Sequence, residues 1–388
     1  MKILLYSSVF YPSTGGVETI TATLAENITK LGHECVVITE TALGEKQEKT
    51  YPYQVVRQPT WQQRWKITSQ CDLVHSNGSS VAMYPWALLS RKPFIWTHNG
   101  YQLCCVDGLG WVDGEATPME PWQSLKFYLN KNGLIFFLKE AIKLTFRRFV
   151  AYQADVNIAC THWVAKRQNL PNQVVAYTPY CLDNFKNLPT PGKYLYDFIF
   201  VGRLVQEKGI DDLINAFGLL VSQPSYQNLN LAIVGDGNLK YKLKNMAAEL
   251  GLKKQILFLG AKHGNELRKV ISQAKIAVVP SVWEEPMGGV ALELLTAQKN
   301  LIVSAFGGHG ECVGEAALKF PNGDVEALKE CMLKLLSEPD LAETQRSIAA
   351  TRVKEFDEVK LTRKYIDIYK NVCKINSQLP EKKLTANG

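Results

Sequence analysis

Short runs of apolar, largely β-branched residues alternate with helix-length amphipathic segments along most of the chain. This alternation is typical of parallel sheets covered by helices on both faces, because parallel strands need long crossover connections. The pattern starts again after residue 184, so we predict an α/β protein with two doubly wound, Rossmann-like domains facing an interdomain cleft. Ligands of such sheets bind beyond the carboxyl ends of the strands, so we expect the functional site in that cleft.

The restart of the pattern also sets the expected domain boundaries. We predict an N-terminal domain over residues 1–184 and a C-terminal domain over 197–355. Residues 185–196 between them hold two prolines and a glycine, as a linker would. One long helix is expected over about 341–372. Its end, residues 356–373, is a C-terminal helix that we place back on the N-terminal domain as a hypothesis, and the polar residues 374–388 are expected to be disordered.

Composition excludes several classes of protein. The chain has 388 residues, of which 46% are hydrophobic and 21% charged, so it is not disordered, collagen-like or a coiled coil. It has no apolar run long enough to cross a membrane, and its short first run is typical of a strand rather than a signal peptide, so we expect a cytoplasmic protein. The net charge of +7 is shared between the two halves, which argues against a nucleic-acid partner. Nine scattered cysteines without a Cys-x-x-Cys pair predict reduced thiols.

The strongest motif follows the first strand of the second half and reads VGRLVQEKG. A strand end places Arg203 at the expected cleft, and Lys208 comes one short turn later. Two fixed cations near a helix N-terminus suit a diphosphate, which needs charge-assisted hydrogen bonds. The alternative is that both are ordinary surface cations, paired with Glu207 and Asp211.

The second motif reads EEPMGGVALE. Pro286 suits a first helical position, and the two glycines after it let the backbone approach a ligand. Glu285 then lies just before the helix and Glu293 about two turns inside it, so that both can face one wall of a cleft. Glu293 sits in an otherwise apolar run, so we expect it to have a specific partner. The alternative is one glutamate that serves the helix dipole and another in a salt bridge.

Weaker signals lie at other strand ends. A Gly15-Gly16 loop follows the first strand, and a Gly-Asp-Gly turn at 235–237 follows the second strand of the C-terminal half. His98 ends an apolar strand, although a lone histidine there is more often structural, and the same holds for His75 and His309. There is no Asp-x-Asp sequence, so we expect no metal ion and no other cofactor, and the cations would neutralise the diphosphate.

Taken together, these motifs resemble those of retaining nucleotide-sugar glycosyltransferases of family four, the group 1 transferases, which have the GT-B fold. The Gly-Gly loop, the Gly-Arg-Leu…Glu-Lys-Gly stretch, the Gly-Asp-Gly turn and the Glu-x7-Glu element occur in the family's order and spacing. The resemblance covers most of the chain and is clearest over residues 196–340. The sequence departs from the family where a Pro-Asn-Gly turn commonly closes the first domain, since residues 178–183 read TPYCLD.

The resemblance implies a role for each matching residue. Arg203 and Lys208 would hold the donor diphosphate, Glu285 would bind the transferred sugar, and Glu293 would bind the ribose hydroxyls. His98 would lie near the sugar. Further donor contacts are implied for Gly15, Gly16, Gly235, Ala261, Met287, Gly288, Gly289 and Val290. Such enzymes are thought to react on one face of the sugar, with a donor phosphate oxygen accepting the acceptor's proton.

The acceptor side is suggested by two stretches of the N-terminal half. Residues 121–150 contain six Lys or Arg and one acidic residue, interleaved with aromatic and aliphatic residues. This pattern suits an anionic membrane surface or a lipid-linked acceptor, and the alternative is an apolar face packed on the sheet. In the loop over 100–111, Tyr101 and Trp111 are candidate stacking surfaces for an acceptor sugar.

From these features we expect a hexosyltransferase that uses a UDP- or GDP-sugar and acts on a glycan or lipid-linked acceptor in polysaccharide or glycolipid synthesis. It would be cytoplasmic, with peripheral binding to the cytoplasmic face of the membrane as a hypothesis. The alternatives are a transferase to a soluble small molecule and an inactive regulator that binds a nucleotide sugar. A glycosyl phosphorylase is a third reading, disfavoured by the short chain and by the lack of a cofactor-binding lysine motif.

Overall fold

A computed structural model describes residues 1–13, 15–45 and 49–378. Contacts between residues divide the chain into two compact units. The first unit contains residues 1–106, 128–181 and the chain from 357 onward, and the second contains 107–127 and 182–356. Each unit is built around its own parallel sheet.

The described part of the chain contains the following strands and helices. The strands are β1 (Lys2–Ser7), β2 (Glu34–Thr39), β3 (Gln54–Arg57), β4 (Leu73–Asn77), β5 (Phe94–His98), β6 (Trp111–Val112), β7 (Glu115–Ala116), β8 (Val156–Ala159), β9 (Gln173–Val175), β10 (Tyr196–Val201), β11 (Leu231–Val234), β12 (Ile256–Gly260), β13 (Ala274–Val279), β14 (Asn300–Ser304) and β15 (Leu318–Phe320). The helices are α1 (Gly16–Lys30), α2 (Trp61–Gln70), α3 (Tyr84–Leu89), α4 (Pro121–Gln153), α5 (His162–Gln168), α6 (Ile210–Val221), α7 (Lys240–Glu249), α8 (Gly264–Ser272), α9 (Gly289–Thr296), α10 (Gly308–Val313), α11 (Val325–Ser337), α12 (Pro339–Arg352) and α13 (Glu358–Gln378).

The first unit holds a seven-stranded sheet in the order β3-β2-β1-β4-β5-β8-β9, with every neighbouring pair parallel. Its strands are almost continuously apolar because both faces are covered. Residues of α1 and α13 fill the core on one face, and residues of α2, α3 and α4 pack in or against the core of the other.

The second unit holds a six-stranded parallel sheet in the order β12-β11-β10-β13-β14-β15. Counted within the unit, this is the order 3-2-1-4-5-6 of doubly wound nucleotide-binding sheets. Residues of α6, α7 and α11 bury one face, and residues of α8 and α9 bury the other. The two doubly wound domains expected from the sequence are therefore confirmed.

The single helix expected over 341–372 is wrong, because the chain breaks between α12 and α13. A 3-10 turn over Val353–Phe356 follows α12 and buries Phe356. Asp357 then begins a new helix, since its Oδ1 accepts the backbone N–H of Lys360 at 2.8 Å. Arg352 holds the end of α12 by donating to the backbone oxygens of Glu311 and Cys312. No proline or glycine occurs over residues 341–372, so the sequence does not reveal the break.

The C-terminal helix α13 completes the first unit. Tyr365, Ile366 and Tyr369 are buried in the core of that unit, beside residues of α1 and the sheet. The helix continues to Gln378, five residues into the segment that we expected to be disordered. The rest of that segment, 379–388, lies outside the described residues, as does Thr14.

Residues 107–127 contact the second unit, although they lie between β5 and β8 of the first. Within this segment β6 and β7 form an antiparallel hairpin. Asp107 holds its base, because Oδ1 accepts the backbone N–H of Leu109 at 2.7 Å and Oδ2 accepts the Thr117 hydroxyl at 2.7 Å. Phe185, at the start of the expected linker, is buried in a core of the second unit.

Candidate functional site

The candidate site lies in the second unit, at the point where the strand order reverses. Strands β10 and β13 are neighbours in the middle of the sheet. After β10 the chain continues toward one edge of the sheet, and after β13 it continues toward the other edge. The segment over 202–209 follows the carboxyl end of β10, and the segment over 280–289 follows that of β13. This is where doubly wound sheets bind their ligands, because the helix connections diverge there and leave a crevice.

The segment after β10 rests on the Gly-Asp-Gly turn. The backbone N–H of Gly202 donates to Val234 O at 3.0 Å, and that of Leu204 donates to Asp236 O at 2.9 Å. Gly235 has a φ of +147°, and a side chain there would lie 1.8 Å from Gly202 O, so only glycine allows this approach. The side chain of Arg203 is 71% exposed.

Arg203 forms an ion pair with Glu207, with Nη2 and Oε1 3.3 Å apart. This is the pairing that the surface-cation alternative expected. The contact is mostly solvated, so it binds the guanidinium weakly and leaves its other donors available for a ligand. Both readings of Arg203 are therefore compatible with its position.

Lys208 contacts the segment after β13. It ends a 3-10 turn over Gln206–Lys208, and the backbone N–H of Val282 donates to Glu207 O at 3.1 Å, which holds the two segments together. The Lys208 ammonium donates to Oε1 of Glu285, so these two predicted site residues form an ion pair. The lysine side chain is only 17% exposed.

Glu285 is the centre of a buried polar cluster. Besides Lys208, its Oε1 accepts the Ser281 hydroxyl at 3.1 Å and lies 3.3 Å from His309 Nε2. Burial by itself would raise the pKa of Glu285, but the Lys208 ammonium and the His309 ring outweigh it and hold the pKa well below its usual range. The carboxylate is therefore ionised at neutral pH. Its second oxygen, Oε2, has no hydrogen-bond partner among the described residues.

A glycine-rich loop brings His309 to this cluster. The backbone N–H of Gly308 donates to Glu285 O, and a side chain at Gly308 would lie 2.4 Å from Pro286 O. The two loops can approach this closely only because glycine occupies that position. The first residue of α9 is Gly289, with Gly288 before it, so the prediction that Pro286 begins the helix is wrong.

Glu293, inside α9, has no partner among the described residues. The residue is half-buried, and burial raises the pKa of its carboxyl to about 7. It makes no hydrogen bond and no ion pair with any of the described residues, so the specific partner expected from the sequence is not one of them. A buried carboxyl without a partner is unfavourable in a folded protein.

The other expected donor contacts of the second unit occupy varied positions. Met287 is buried, Val290 is half-buried at the first turn of α9, and Ala261 is exposed just after β12. Trp111 lies in the β6–β7 hairpin of the same unit, half-buried, and its indole N–H is buried without a hydrogen-bond partner. The hairpin turn lies beside the segment over 202–209, since a side chain at Gly114 would lie 2.4 Å from the Gln206 side-chain amide nitrogen.

The remaining expected site residues belong to the first unit. Gly15 and Gly16 lie at the N-terminus of α1, after β1. His98 is 3% exposed, its Nε2 is 2.9 Å from Asn157 Oδ1, and burial lowers its pKa to about 4, so it is neutral at pH 7. Tyr101 has no exposed surface at all, so the expectation that it offers a stacking surface for a sugar is wrong.

Two residues of the cluster around Glu285 are not evident from the sequence. Ser281 is a single hydroxyl two residues past a strand end, and His309 stands out only as a lone histidine between glycines. They meet Glu285 because three separate segments converge, which no local pattern encodes. The only sequence signal is the position of Ser281 at the carboxyl end of β13.

Comparison with known proteins gives two family matches. Residues 184–352 match the family described as Glycosyl transferases group 1. Residues 14–169 match the family described as Glycosyltransferase Family 4. Together these two matches cover most of the chain, one in each half.

Curated relatives match over different lengths. One uncharacterized glycosyltransferase of Methanocaldococcus jannaschii is 37% identical over 115 residues, which is 30% of this chain and 28% of that protein. Another from the same organism is 25% identical over 350 residues, 89% of this chain and 91% of that protein. The gpi3 subunit of phosphatidylinositol N-acetylglucosaminyltransferase from Schizosaccharomyces pombe is 23% identical over 358 residues, 86% of this chain and 72% of that one.

A solved structure shares the fold over nearly the whole chain. HepE of Anabaena, crystallised in complex with UDP-glucose, superposes with a TM-score of 0.70 at 18% identity, covering 96% of this chain and all of that one. At this identity the likeness shows the fold, which is GT-B, as the sequence resemblance implied.

Proposed function

Because the chain belongs to the group 1 glycosyltransferases of family four, we propose that it is a retaining hexosyltransferase that uses a nucleotide-diphosphate sugar. The acceptor we propose is a hydroxyl of a glycan or of a lipid-linked sugar, in polysaccharide or glycolipid synthesis. The observation that carries the proposal is Glu293, a half-buried carboxyl with a raised pKa and no partner among the described residues.

A ribose would supply the hydrogen-bond donors that Glu293 lacks among the described residues. The two neighbouring hydroxyls of a ribose are hydrogen-bond donors, and a carboxylate offers two oxygens that accept them. Such bonds favour the ionised carboxylate and offset the unfavourable burial. An apolar ligand would leave the carboxyl as it is, so the site favours a nucleotide.

We propose that the two cations hold the diphosphate. Arg203 is exposed with donors available, and Lys208 lies one turn further along the same segment. As the nucleotide leaves, negative charge grows on its phosphate, and fixed positive charges stabilise that charge in the transition state. We propose that these two side chains serve in place of a metal ion, so that transfer continues in the presence of EDTA.

Glu285 would orient the transferred sugar. Its Oε1 is occupied by donors from the protein, whereas Oε2 has none among the described residues and is left for a sugar hydroxyl. In the proposed reaction, a donor phosphate oxygen accepts the proton of the attacking hydroxyl, so the protein need not supply a separate base. His98 near the sugar stays a prediction, and so does the cytoplasmic location.

A thermal-shift panel tests the donor assignment. Wild-type protein is heated with UDP-glucose, GDP-mannose and ADP-glucose, and a specific donor raises the melting temperature by mass action. Glu293→Gln should lose most of that shift, because an amide cannot replace a carboxylate acceptor for both hydroxyls. The donor that binds is then used for product analysis, with the anomeric configuration read by NMR.

The outcomes separate the alternatives. A transferred sugar of the donor's configuration supports a retaining enzyme, and an inverted product overturns that part. Binding without transfer to any acceptor points to the inactive regulator, and transfer to a soluble small molecule points to the other alternative. If none of the three sugars binds, the proposal is wrong.

We further propose that α4 places the enzyme on an anionic membrane. Gly133 interrupts this helix, and the part after it carries exposed apolar side chains at helical spacing along one face. They are Ile135, Leu138, Ile142, Phe146 and Phe149, with exposures from 47% to 87%. The alternative that this face packs on the sheet does not fit, because the buried residues Leu144 and Ala151 lie on the opposite side of the helix.

Basic residues flank the exposed face. Lys139 and Lys143 are exposed beside it, and half-buried Arg147 continues the same side. Apolar side chains that enter the headgroup region together with cations suit an anionic bilayer. The gpi3 relative is a subunit of a phosphatidylinositol N-acetylglucosaminyltransferase, which supports a lipid-linked acceptor. No helix in the described part of the chain is long and apolar enough to span a membrane.

Flotation with lipid vesicles tests this surface. We expect the protein to float with vesicles that contain phosphatidylglycerol, less so in high salt, and not with pure phosphatidylcholine. The double variant Ile135→Ser/Ile142→Ser should stay at the bottom of the gradient. A matched control is Tyr241→Ser/Leu250→Ser, which removes two exposed apolar side chains of the second unit and should float like wild type. Equal flotation of both variants would rule out this helix face.

A further inference from the structure

We propose that His309 is a positioning residue for Glu285: its Nε2–H holds the carboxylate in place when Lys208 turns to the donor diphosphate. This inference rests on the proposed function, because it assumes that the donor takes Lys208 as its partner. The observations that carry it are the buried contact between the two side chains and the sharing of one carboxylate oxygen by three donors.

The contact fixes the tautomer of His309. Nε2 lies 3.3 Å from Glu285 Oε1 and 3.4 Å from Ser281 Oγ, and because an ionised carboxylate only accepts hydrogen bonds, we infer that Nε2 carries a hydrogen. The other ring nitrogen, Nδ1, is buried without a partner and lies against Gly288. A second hydrogen at Nδ1 would be a buried donor without an acceptor, which is unfavourable. His309 therefore faces Glu285 with its Nε2 edge.

Once the donor is bound, Lys208 lies near two anions in the proposed complex, the Glu285 carboxylate and the diphosphate. In the structure it neutralises Glu285, and in the proposed complex it must approach a diphosphate as well. Every contact that it makes with the phosphate weakens its hold on the carboxylate. A buried carboxylate that loses its counter-charge needs other donors to stay ionised and fixed.

His309 is held rigidly enough to be one of those donors. The residue is 1% exposed and belongs to α10, and a side chain at Gly288 would come within 2.8 Å of its Nδ1. The ring is therefore enclosed by protein on the side away from Glu285. Ser281 donates to the same oxygen from the segment after β13, so Ser281 and His309 remain beside the carboxylate when Lys208 leaves. In this arrangement Oε2 of Glu285 can accept a hydrogen bond from the sugar while Lys208 contacts the phosphate.

The test compares His309→Gln with His309→Leu. Glutamine can place an amide N–H near the position of Nε2, whereas leucine fills the space without a donor. We measure melting temperature, kcat and KM for the nucleotide sugar that binds wild type, and affinity for the matching nucleoside diphosphate (UDP, GDP or ADP). The same two substitutions at His33, a half-buried histidine of the first unit, serve as the matched control.

We expect His309→Leu to lower kcat by about tenfold to a hundredfold, as for the loss of one hydrogen bond to a charged group. Its affinity for the nucleoside diphosphate should stay within about twofold of wild type, because Glu285 faces the sugar in the proposed complex. His309→Gln should recover most of kcat. A leucine variant with wild-type kcat, or a glutamine variant as slow as the leucine variant, overturns the role of His309. If His309→Leu loses both its affinity for the nucleoside diphosphate and its fold, the role of His309 is merely structural. That result also overturns the proposal.

A measurement on the ligand-free protein is independent of the donor. Nitrogen-15 NMR of histidine-labelled protein distinguishes the two neutral tautomers, and the His309→Gln spectrum identifies the signal that disappears. We expect the Nε2–H form, and the Nδ1–H form would overturn the proposal. Wild-type protein that binds none of the three nucleotide sugars refutes the proposed function and the inference with it. Wild-type binding with an unaffected leucine variant refutes the inference alone.

Discussion

Replacing Glu293 by glutamine should make the protein more stable and a poorer enzyme. Burial raises the pKa of this carboxyl from 4.5 to about 7 in the folded protein. The folded state therefore holds the proton more tightly than the unfolded state does. The carboxyl costs nothing below pH 4.5, where both states are protonated, and its cost grows as pH rises and is complete above about 7. Glutamine, which cannot ionise, removes that cost.

The size of the effect follows from the shift. A pKa change from 4.5 to about 7 corresponds to about 3 kcal/mol at pH 8, and to only about 1 kcal/mol at pH 5. The stability difference between Glu293→Gln and wild type should therefore grow by about 2 kcal/mol between those pH values. Urea unfolding of both proteins at pH 5 and pH 8 measures it.

A surface substitution of the same type provides the control. Glu249→Gln, at the exposed end of α7, removes a carboxylate that water already solvates, and it should show no comparable dependence on pH. If the stability difference for Glu293→Gln is the same at both pH values, the carboxyl is not buried without a partner in solution. The reasoning that leads from this residue to a nucleotide would then fail.

The same residue predicts how donor binding depends on pH. A ribose hydroxyl donates to the ionised carboxylate, so wild-type affinity for a nucleotide sugar should rise as pH passes through about 7. The diphosphate of a nucleotide sugar does not titrate in this range, and isothermal calorimetry with Glu293→Gln should give a nearly flat profile. A wild-type affinity that falls with rising pH would contradict the assignment.

Further predictions concern single side chains elsewhere in the chain. Arg203→Ala should lower turnover at least about a hundredfold without a change in melting temperature, because the guanidinium is exposed; near-normal transfer would refute its role. Lys208→Ala should lower both turnover and stability, since it leaves the carboxylate that it neutralises without its main counter-charge, and equal stability in urea would contradict the ion pair. Tyr369→Phe should cost about 1–3 kcal/mol in urea unfolding, because its hydroxyl lies 2.7 Å from Nδ1 of buried His75, and no loss would mean that the contact contributes nothing.

The sequence predicts the sheets well because their strands are apolar on both faces. A run such as that of β11 has no polar face, so it fits only a strand covered on both sides, and parallel pairing follows from the helix between each pair. The restart of the pattern places the second sheet correctly for the same reason. The break at 353–357 escapes prediction because one buried aromatic and one capping aspartate create it, and neither proline nor glycine marks it.

The site is predictable only where a motif is local. Lys208 and Glu285 stand in motifs with recognisable spacing, and the structure brings them into contact. Ser281 and His309 join them through contacts between distant segments, so their role becomes visible only in three dimensions. Tyr101 was a candidate stacking surface for a sugar because it lies in a loop that follows a strand end, but its side chain is buried.

The position of α13 affects the order in which the two units can fold during synthesis on the ribosome. The first unit lacks an essential layer until residues near 369 have been synthesised, because Tyr365 and Tyr369 cover one face of its sheet. The second unit needs nothing beyond about residue 356, so during translation the later-encoded unit can mature before the earlier one. A nascent chain released early, before α13, would leave the part of this apolar face that α1 does not cover exposed to chaperones.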